Sequence, residues 1–169
     1  MSVALVQMRD PGLFTREMLR LHNAPRLVLG LQPLHWDEAL AKDAKAYADK
    51  LARNGRFEHS HAPGVGENLW MGTALAFTYR DMVDSWVSEG GFYRSGVFPN
   101  VSSSGNWADV GHYTQVVWRG TTAVGCGLSY ERNNEVLVCR YSPAGNVIGQ
   151  WAYERSNPPR PQRRTVRLR

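Results

Sequence analysis

The sequence predicts an α+β fold, a three-layer α-β-α sandwich around a short antiparallel sheet. The chain has 169 residues, and 43% of them are hydrophobic. This length is enough for one domain with a core and too short for two independent domains. Segments with helical periodicity come first and segments with strand character gather late, so helices and sheet are expected in separate layers. No run of about 18 apolar residues occurs, so no membrane-spanning helix is predicted.

The first part of the chain contains two segments with the apolar spacing of amphipathic helices. The first covers residues 15–29, and Pro25 is expected to complicate or break it. The second covers residues 37–53. Asp37 is suited to be its N-cap or first-turn acid, and Gly55 is suited to end it.

A third helix is predicted over residues 78–89, and the two glycines that follow are expected to stop it. The next segment, residues 90–111, is a long connection rich in Gly, Ser and Asn. Connections of this length inside a compact domain are usually functional or ordered by the rest of the fold. Its aromatic residues are candidate ligand-binding residues, namely Phe92, Tyr93, Phe98 and Trp107.

The two cysteines, Cys126 and Cys139, lie in a segment with the pattern strand, turn, strand. A turn centred between Arg132 and Asn133 places the cysteines directly opposite each other. The same register pairs Leu128 with Leu137 and Val124 with Tyr141. Opposed residues of an antiparallel pair are close enough for a disulfide, so we predict that the bond forms. The alternative is two buried thiols in a reducing compartment.

The formal net charge of +5 belongs to the C-terminal segment of the sequence. Five arginines lie in the last twelve residues, and removing them leaves 15 basic and 15 acidic side chains. They are Arg160, Arg163, Arg164, Arg167 and Arg169. We interpret residues 156–169 as a flexible Arg/Pro-rich tail. The alternative is weak binding to nucleic acid or anionic lipid, and no specific nucleic-acid partner is predicted.

A small set of His and Glu residues could carry chemistry. Helical spacing places Glu89 on the apolar face of the third helix, where a carboxylate needs a partner. Glu67 and His112 each precede an apolar run, and His59 and His61 lie shortly before Glu67. Imidazoles and carboxylates together could bind a divalent metal or form a hydrogen-bonded cluster. Their spacing alone leaves both interpretations open.

Polar residues of the first helix are expected to be structural. His22, Asn23 and Arg26 are predicted to tie that helix to a neighbouring loop, because polar residues on a helix usually make structural hydrogen bonds. Asn146 is predicted to hold a turn through bonds from its side chain to the backbone.

Four segments resemble the signature segments of the CAP superfamily, which contains the cysteine-rich secretory proteins, insect venom antigen 5 and plant pathogenesis-related group 1 proteins. The segments occur in the expected order, and the resemblance runs from Leu19 to Tyr153. They contain His22-Asn23, Gly66-Glu67-Asn68-Leu69, Gly111-His112-Tyr113-Thr114-Gln115 and Cys139-Arg140-Tyr141-Ser142-Pro143. The resemblance implies an α-β-α sandwich, with one CAP domain over residues 15–155 after an N-terminal extension of residues 1–14.

The resemblance also implies a central cleft with two His and two Glu, which map to His59, His112, Glu67 and Glu89. His59 is selected over His61 because a serine usually follows this histidine in the family. In several members the cleft binds zinc or a similar divalent ion, with imidazoles as direct ligands and carboxylates reaching it directly or through water. Two neutral His ligands would hold such an ion only loosely.

The chain departs from the secreted plant and animal members in its single cysteine pair and its Arg-rich tail, and is similar to bacterial or other minimal members. A disulfide implies export. Residues 1–6 lack the basic residues and the apolar length of a signal peptide. We therefore expect an extracellular or periplasmic protein whose leader is absent from this chain, with retention inside the cell as the alternative.

Three functions are consistent with these observations. The favoured one is a secreted, non-enzymatic protein whose cleft or aromatic loop binds a sterol, a fatty acid, another small hydrophobic ligand or a peptide. The second is a metal-dependent, peptidase-like hydrolase in which Glu67 or Glu89 is the general base for a metal-bound water. The third is a structural or host-interaction protein in which the four cleft residues only stabilise the fold. The sequence leaves the oligomeric state open.

Overall fold

A four-stranded sheet forms the middle layer of the protein. The structure is a computed structural model that describes residues 11–153. The strands are β1 (His35–Trp36), β2 (Gly66–Thr73), β3 (Ala123–Glu131) and β4 (Asn134–Ser142). They lie in the order β1-β3-β4-β2, and only the β1–β3 pair is parallel. The predicted short antiparallel sheet is confirmed, with a two-residue parallel strand at one edge.

Strands β3 and β4 form the predicted hairpin. Cys126 lies opposite Cys139, and their sulfurs are bonded, with the two Cα atoms 4.1 Å apart. The other predicted pairs, Leu128 with Leu137 and Val124 with Tyr141, are also present. Arg132 has a φ of 56°, the left-handed conformation that tight hairpin turns require. The disulfide and the two apolar pairs therefore follow from one strand register, as predicted.

Helices cover both faces of the sheet. Within the described residues they are α1 (Pro11–Val28), α2 (Glu38–Asn54), α3 (Tyr79–Val87) and α4 (Gly111–Val116). The predicted boundaries of α2 are confirmed: the Asp37 side chain accepts a hydrogen bond from the backbone N–H of Leu40, 2.9 Å away, and Gly55 ends the helix with a left-handed φ of 63°.

Helix α2 lies on one face of the sheet in direct contact with the backbone of β3. A side chain on Gly125 would overlap the backbone of Ala41, and one on Gly127 would overlap the backbone of Lys45. Both positions therefore need glycine for close approach. Around this contact the core contains Ala44, Ala48, Leu51, Ala52, Leu69, Val136 and Val138.

Helices α1 and α3 cover the opposite face of the sheet. The larger core cluster lies here and contains Met18, Leu21, Leu34, Tyr79, Met82, Val83, Trp86, Val124, Cys126, Leu137, Cys139 and Tyr141. Because side chains alternate along a strand, β4 supplies this cluster and the α2 cluster from alternate positions, whereas β3 supplies this cluster and has glycines on its α2 side. Helices on two faces of one sheet give the α-β-α sandwich that the sequence predicts.

The first helix differs from its prediction. It begins at Pro11 rather than Thr15 and passes through Pro25 without a break. Pro25 lies in the last turn, where its missing N–H removes one bond only, and the N–H of Leu29 still donates to its carbonyl. Residues 11–14 of the proposed extension thus belong to α1, while residues 1–10 and the tail 156–169 lie outside the described residues.

Other elements that were not predicted from the sequence are strands β1 and β2, the six-residue helix α4 and a 3-10 helix over Trp107–Asp109. The third helix also continues past its expected stop, because α3 is followed by a 3-10 helix over Ser88–Phe92. Within residues 11–153, no helix combines the length and the apolar character that crossing a membrane requires.

Candidate functional site

A cleft of about 650 Å³ opens where β2 begins, between helix α4 and the segment after β4. Three of the four predicted metal-site residues line it, namely His59, Glu67 and His112. Apolar side chains form other parts of its wall, including Phe98, Trp107 and Ile148. The cleft is therefore lined by two imidazoles as well as by apolar and aromatic side chains.

Helix α4 carries His112, and the 3-10 helix after α3 carries Glu89. The Nδ1 atom of His112 lies 2.6 Å from Glu89 Oε1, and the backbone N–H groups of His112 and Tyr113 both donate to Glu89 Oε2. The Trp86 ring stacks on the imidazole at 6.1 Å between centroids. Glu89 thus has the partner that its apolar position requires, and it holds both the ring and the first turn of α4.

The loop after α2 carries His59, and strand β2 carries Glu67. His59 Nδ1 lies 3.0 Å from Glu67 Oε1, and Ser60 donates to both carboxylate oxygens through its backbone N–H and its hydroxyl. Arg140, opposite Glu67 in the sheet, places its Nε 3.5 Å from Oε2. Burial would raise the pKa of Glu67, but these hydrogen bonds and the charge of Arg140 outweigh it and hold the pKa below its usual range.

Both pairs leave the same imidazole atom free. An ionised carboxylate only accepts hydrogen bonds, so each Nδ1 must donate, and the neutral ring then has its lone pair on Nε2. Among the described residues, neither the Nε2 of His59 nor that of His112 has a hydrogen-bond partner. A carboxylate on one ring nitrogen with the other nitrogen free is the arrangement of metal-binding histidines and their supporting residues.

A buried chain of hydrogen bonds supports the His112 side of the cleft. His22 donates from Nδ1 to the carbonyl of Met18 and accepts from the Tyr141 hydroxyl at Nε2, 2.8 Å away. Asn68 donates to that hydroxyl and to the carbonyl of His112. Burial lowers the pKa of His22 to about 4, so the ring is neutral at pH 7.

The predicted structural role of the first-helix residues is confirmed. The Asn23 side chain bonds both the N–H and the carbonyl of Leu34. Arg26 is 1% exposed and donates to four backbone carbonyls, those of Gln32, Val116, Trp118 and Thr121. Burial lowers its pKa to about 10, which leaves it charged at neutral pH. The Asn146 side chain also links two segments, because it donates to the carbonyl of Gly111 and accepts from the hydroxyl of Thr114.

The four aromatic ligand candidates do not lie together. Phe98 and Trp107 line the cleft, with their ring centroids 5.3 Å apart. Phe92 and Tyr93 are absent from the cleft wall, and Tyr93 packs instead against Tyr113 and Tyr153. Two residues that the sequence analysis did not single out as site residues, Ser60 and Arg140, belong to the Glu67 cluster. The pairing of β2 with β4 is the signal that was missing for Arg140.

The spacing of potential metal ligands differs between the cleft and the core. In the part of the chain that is described, one group of three candidate ligands has its ligand atoms within 4.8 Å of one another, and it consists of His22, Cys126 and Cys139. Its sulfurs are bonded to each other, and both His22 nitrogens are hydrogen-bonded. No three of the four predicted cleft ligands converge in this way among residues 11–153, so they do not form a closed metal site.

Sequence comparison assigns the chain to a family. The profile of the cysteine-rich secretory protein family, CAP, matches residues 19–141. The chain therefore belongs to the CAP family, as the sequence resemblance implied. It is 40% identical over 133 residues to a pathogenesis-related protein of PR-1 type from Sambucus nigra, covering 78% of this chain and 77% of that protein.

Further comparisons support the same family. Pathogenesis-related protein 1C from Nicotiana tabacum is 39% identical over 139 residues, which cover 82% of this chain and 80% of that protein. Among solved structures, NaASP2 with Zn²⁺ matches with a TM-score of 0.70 and 25% identity, covering 85% of this chain and 86% of that one. BmVAL-1 matches with a TM-score of 0.69 and 24% identity, covering 89% and 86%, which shows the shared fold.

Proposed function

We propose that the protein is a secreted, non-enzymatic CAP protein whose cleft binds a divalent cation, such as Zn²⁺, beside a small hydrophobic ligand. His59 and His112 would be the direct metal ligands through Nε2. The observation that carries the proposal is the shared orientation of the two pairs, in which each carboxylate holds Nδ1 and leaves Nε2 free. Extracellular location is supported by the disulfide and by the secretory family.

Zn²⁺ fits the chemistry of this donor set. Imidazole nitrogens are among its usual ligands, and a hydrogen bond from the opposite ring nitrogen to a carboxylate fixes the tautomer and raises the basicity of the ligand. Two protein ligands would give an open, weakly held site. The similar structure of NaASP2 with Zn²⁺ adds support.

The carboxylates are better suited to positioning than to general-base catalysis. Both oxygens of Glu67 accept hydrogen bonds from His59 or Ser60. Both oxygens of Glu89 are bound by groups of His112 and Tyr113. A general base needs an oxygen within reach of the proton that it removes. The engaged oxygens therefore favour a binding protein over a hydrolase.

The apolar wall of the cleft supports a hydrophobic ligand. The Phe98 and Trp107 rings line the same cleft as the imidazoles and lie 5.3 Å apart, and Ile148 adds an aliphatic side chain. A cleft of about 650 Å³ has the size of a typical small-molecule site. A fatty acid or sterol would place its hydrocarbon against these side chains and its polar group near His59 or His112.

Calorimetric titration of Zn²⁺ into chelator-stripped protein at neutral pH tests the metal site. Saturable one-site binding is expected for the wild type and for His35→Ala, which removes an exposed imidazole outside the cleft. Binding is expected to be lost in the His59→Ala, His112→Ala double variant. Circular dichroism should confirm that each variant is folded. Binding that persists in the double variant, or no binding by the folded wild type, would contradict the proposed site.

Tryptophan fluorescence tests the hydrophobic ligand, because Trp107 lies in the cleft wall. Titration with fatty acids and sterols is expected to shift the emission of the wild type, and the shift is expected to be lost in Trp107→Phe. A panel of ligands that causes no shift in folded protein would exclude this part of the proposal and favour a structural role for the cleft.

A further inference from the structure

The charges around the cleft are unequal in sign. Among the described residues that line the cleft, Glu67 has a formal negative charge and none is Lys or Arg. A second carboxylate, Glu89, lies behind His112 and holds its Nδ1 atom. Arg140 lies outside the lining, with its Nε 3.5 Å from Glu67 Oε2, and offsets one of these two negative charges. The electrostatic surroundings of the cleft therefore favour a cation over an anion.

The two imidazoles of the cleft present hydrogen-bond acceptors. Each Nδ1 donates to a carboxylate, so the Nε2 atoms of His59 and His112 carry lone pairs. Three side-chain amides also line the cleft, and each already donates a hydrogen bond to another group of the protein; they are Asn68, Gln115 and Asn146. A ligand that donates hydrogen bonds therefore suits the imidazoles better than a ligand that only accepts them.

The cleft also provides apolar surface for a hydrocarbon chain. Ile148 lines the cleft and is 79% exposed, so covering its side chain would remove apolar area from water. The rings of Phe98 and Trp107 line the same space. At about 650 Å³, the cleft is larger than an ammonium or hydroxyl group alone needs. A ligand that fills it therefore has a hydrocarbon part as well as a polar group.

We propose that the metal-free cleft binds a primary amine with a hydrocarbon chain. The ammonium group donates its N–H groups to the free Nε2 atoms of His59 and His112, and the carboxylates of Glu67 and Glu89 supply the opposite charge. The chain packs against the apolar side chains of the cleft. This inference rests on the ligand-binding part of the proposed function, whose polar group it names, and it requires no metal.

An amine suits the metal-free cleft better than a fatty acid does. A carboxylate only accepts hydrogen bonds, so its oxygens would meet the lone pairs of His59 and His112 and the negative charge of Glu67. A fatty acid would therefore need a bound cation between its carboxylate and the imidazoles. A fatty alcohol or a sterol has one hydroxyl donor and no charge, so we expect it to bind with intermediate affinity.

Four ligands with the same hydrocarbon chain test the proposal: octylammonium, octyltrimethylammonium, octanol and octanoate. Tryptophan fluorescence of the full chain measures their binding at pH 8 in the presence of a metal chelator. At this pH a primary amine is protonated and an ordinary imidazole is neutral. We expect octylammonium to bind about 10- to 100-fold more tightly than octanoate, the range of a hydrogen bond to a charged group. Octyltrimethylammonium has the same charge but no N–H group, and we expect it to bind more weakly than octylammonium.

Two variants assign the preference for the amine to the imidazoles of the cleft. The His59→Ala, His112→Ala double variant lacks both acceptors, and we expect its affinity for octylammonium to fall at least tenfold. His61→Asn is the matched control, because His61 is exposed, lies two residues from His59 and is absent from the described lining of the cleft. Asparagine tolerates the left-handed φ of 54° at this position. The control is expected to bind all four ligands as the wild type does, and circular dichroism should confirm that both variants are folded.

Several results would overturn the proposal. A preference for octylammonium that persists in the folded double variant would place the ammonium group elsewhere on the protein. Octyltrimethylammonium that binds as tightly as octylammonium would exclude N–H donation to the imidazoles. If octanol and octanoate bind but octylammonium does not, this inference alone fails, whereas binding of none of the four ligands would also contradict the proposed hydrophobic-ligand site. Because a chelator is present throughout, each of these results is independent of the zinc titration.

Discussion

The two imidazole–carboxylate pairs of the cleft have the same internal geometry but different support. Glu89 binds the His112 ring and two backbone N–H groups of helix α4, and Trp86 stacks on the ring. Glu67 binds the ring of His59 and otherwise Ser60 and Arg140. The His112 side chain is 33% exposed and that of His59 is 51% exposed. One pair is anchored to the core, and the other lies at a loop.

The geometry of the two pairs is therefore fixed by different parts of the protein. The His112 pair is continuous with the hydrogen bonds of Asn68, Tyr141 and His22, so its geometry is set by the packing of α1 against the sheet. The His59 pair depends on a loop residue, and its imidazole is the more exposed of the two. We therefore expect changes in the core to disturb the His112 pair and changes at the loop to disturb only the His59 pair.

The largest effect is expected for Arg26→Met, which removes the anchor of the chain that follows α4. Four backbone carbonyls would lose their buried donor, two of them in Val116 and Trp118. We expect a loss of about 4 kcal/mol in the free energy of unfolding, measured by urea denaturation. Arg20→Met on the same helix removes only an exposed ion pair with Glu17 and should cost little. Equal losses in the two variants would contradict the anchoring role.

The second-largest effect is expected in acid, where protonation of His22 lowers the free energy of unfolding. The unfolded chain binds a proton at this residue near pH 6.5, but the folded protein does so only near pH 4. Stability is therefore complete above pH 6.5 and falls as the pH drops towards 4, by about 3 kcal/mol. The pKa of Glu67 is held low, so its contribution is lost only in stronger acid.

The variant His22→Gln tests this assignment. It is expected to be less stable than the wild type at pH 7 but to lose much less stability between pH 6.5 and 4. Urea denaturation over this pH range measures both quantities. The same pH dependence in the variant and the wild type would show that another group is responsible for the acid sensitivity.

A smaller effect is expected on metal affinity when either carboxylate becomes an amide. Replacing a residue that orients a metal-binding histidine typically weakens binding 10- to 100-fold. We expect Glu89→Gln to lie near the upper end of this range and Glu67→Gln near the lower end, because the more exposed His59 can adjust its ring. Zinc calorimetry measures both affinities. A greater loss in Glu67→Gln would reverse the proposed roles of the two pairs.

The smallest effect is expected for Ser60→Ala at the loop pair. The change removes the hydroxyl that donates to Glu67 Oε2 at 2.6 Å but keeps the backbone donor of the same residue. We expect the free energy of unfolding to fall by about 1 kcal/mol, with unchanged chemical shifts for the His112 imidazole. NMR spectra that show equal changes at His59 and His112 would contradict their independence.

Local signals allowed much of the fold to be predicted from the sequence. The N-cap Asp37 and the terminal Gly55 fixed helix α2, and strand alternation around one turn fixed the pairing of Cys126 with Cys139. Strand β2 was missed because it pairs only with β4, far along the sequence. The break expected at Pro25 does not occur, because this proline lies in the last turn of the helix.

The sequence analysis named four candidate residues of the cleft but could not give their geometry. The resemblance to the CAP family supplied His59, Glu67, Glu89 and His112, and helical spacing had independently marked Glu89 as unusual. The sequence could not indicate that each carboxylate binds Nδ1, because that depends on ring orientation. It also could not indicate Arg140 as a partner of Glu67, since strand register across the sheet decides this contact.

The close contact between α2 and β3 restricts how this protein can change. Gly125 and Gly127 leave no room for a side chain beneath the helix, so a mutational library at these two positions should yield almost no folded protein. The opposite face is filled by large side chains, which can be exchanged for others of similar volume. We therefore expect core substitutions to be tolerated mainly in the layer that carries α1 and α3.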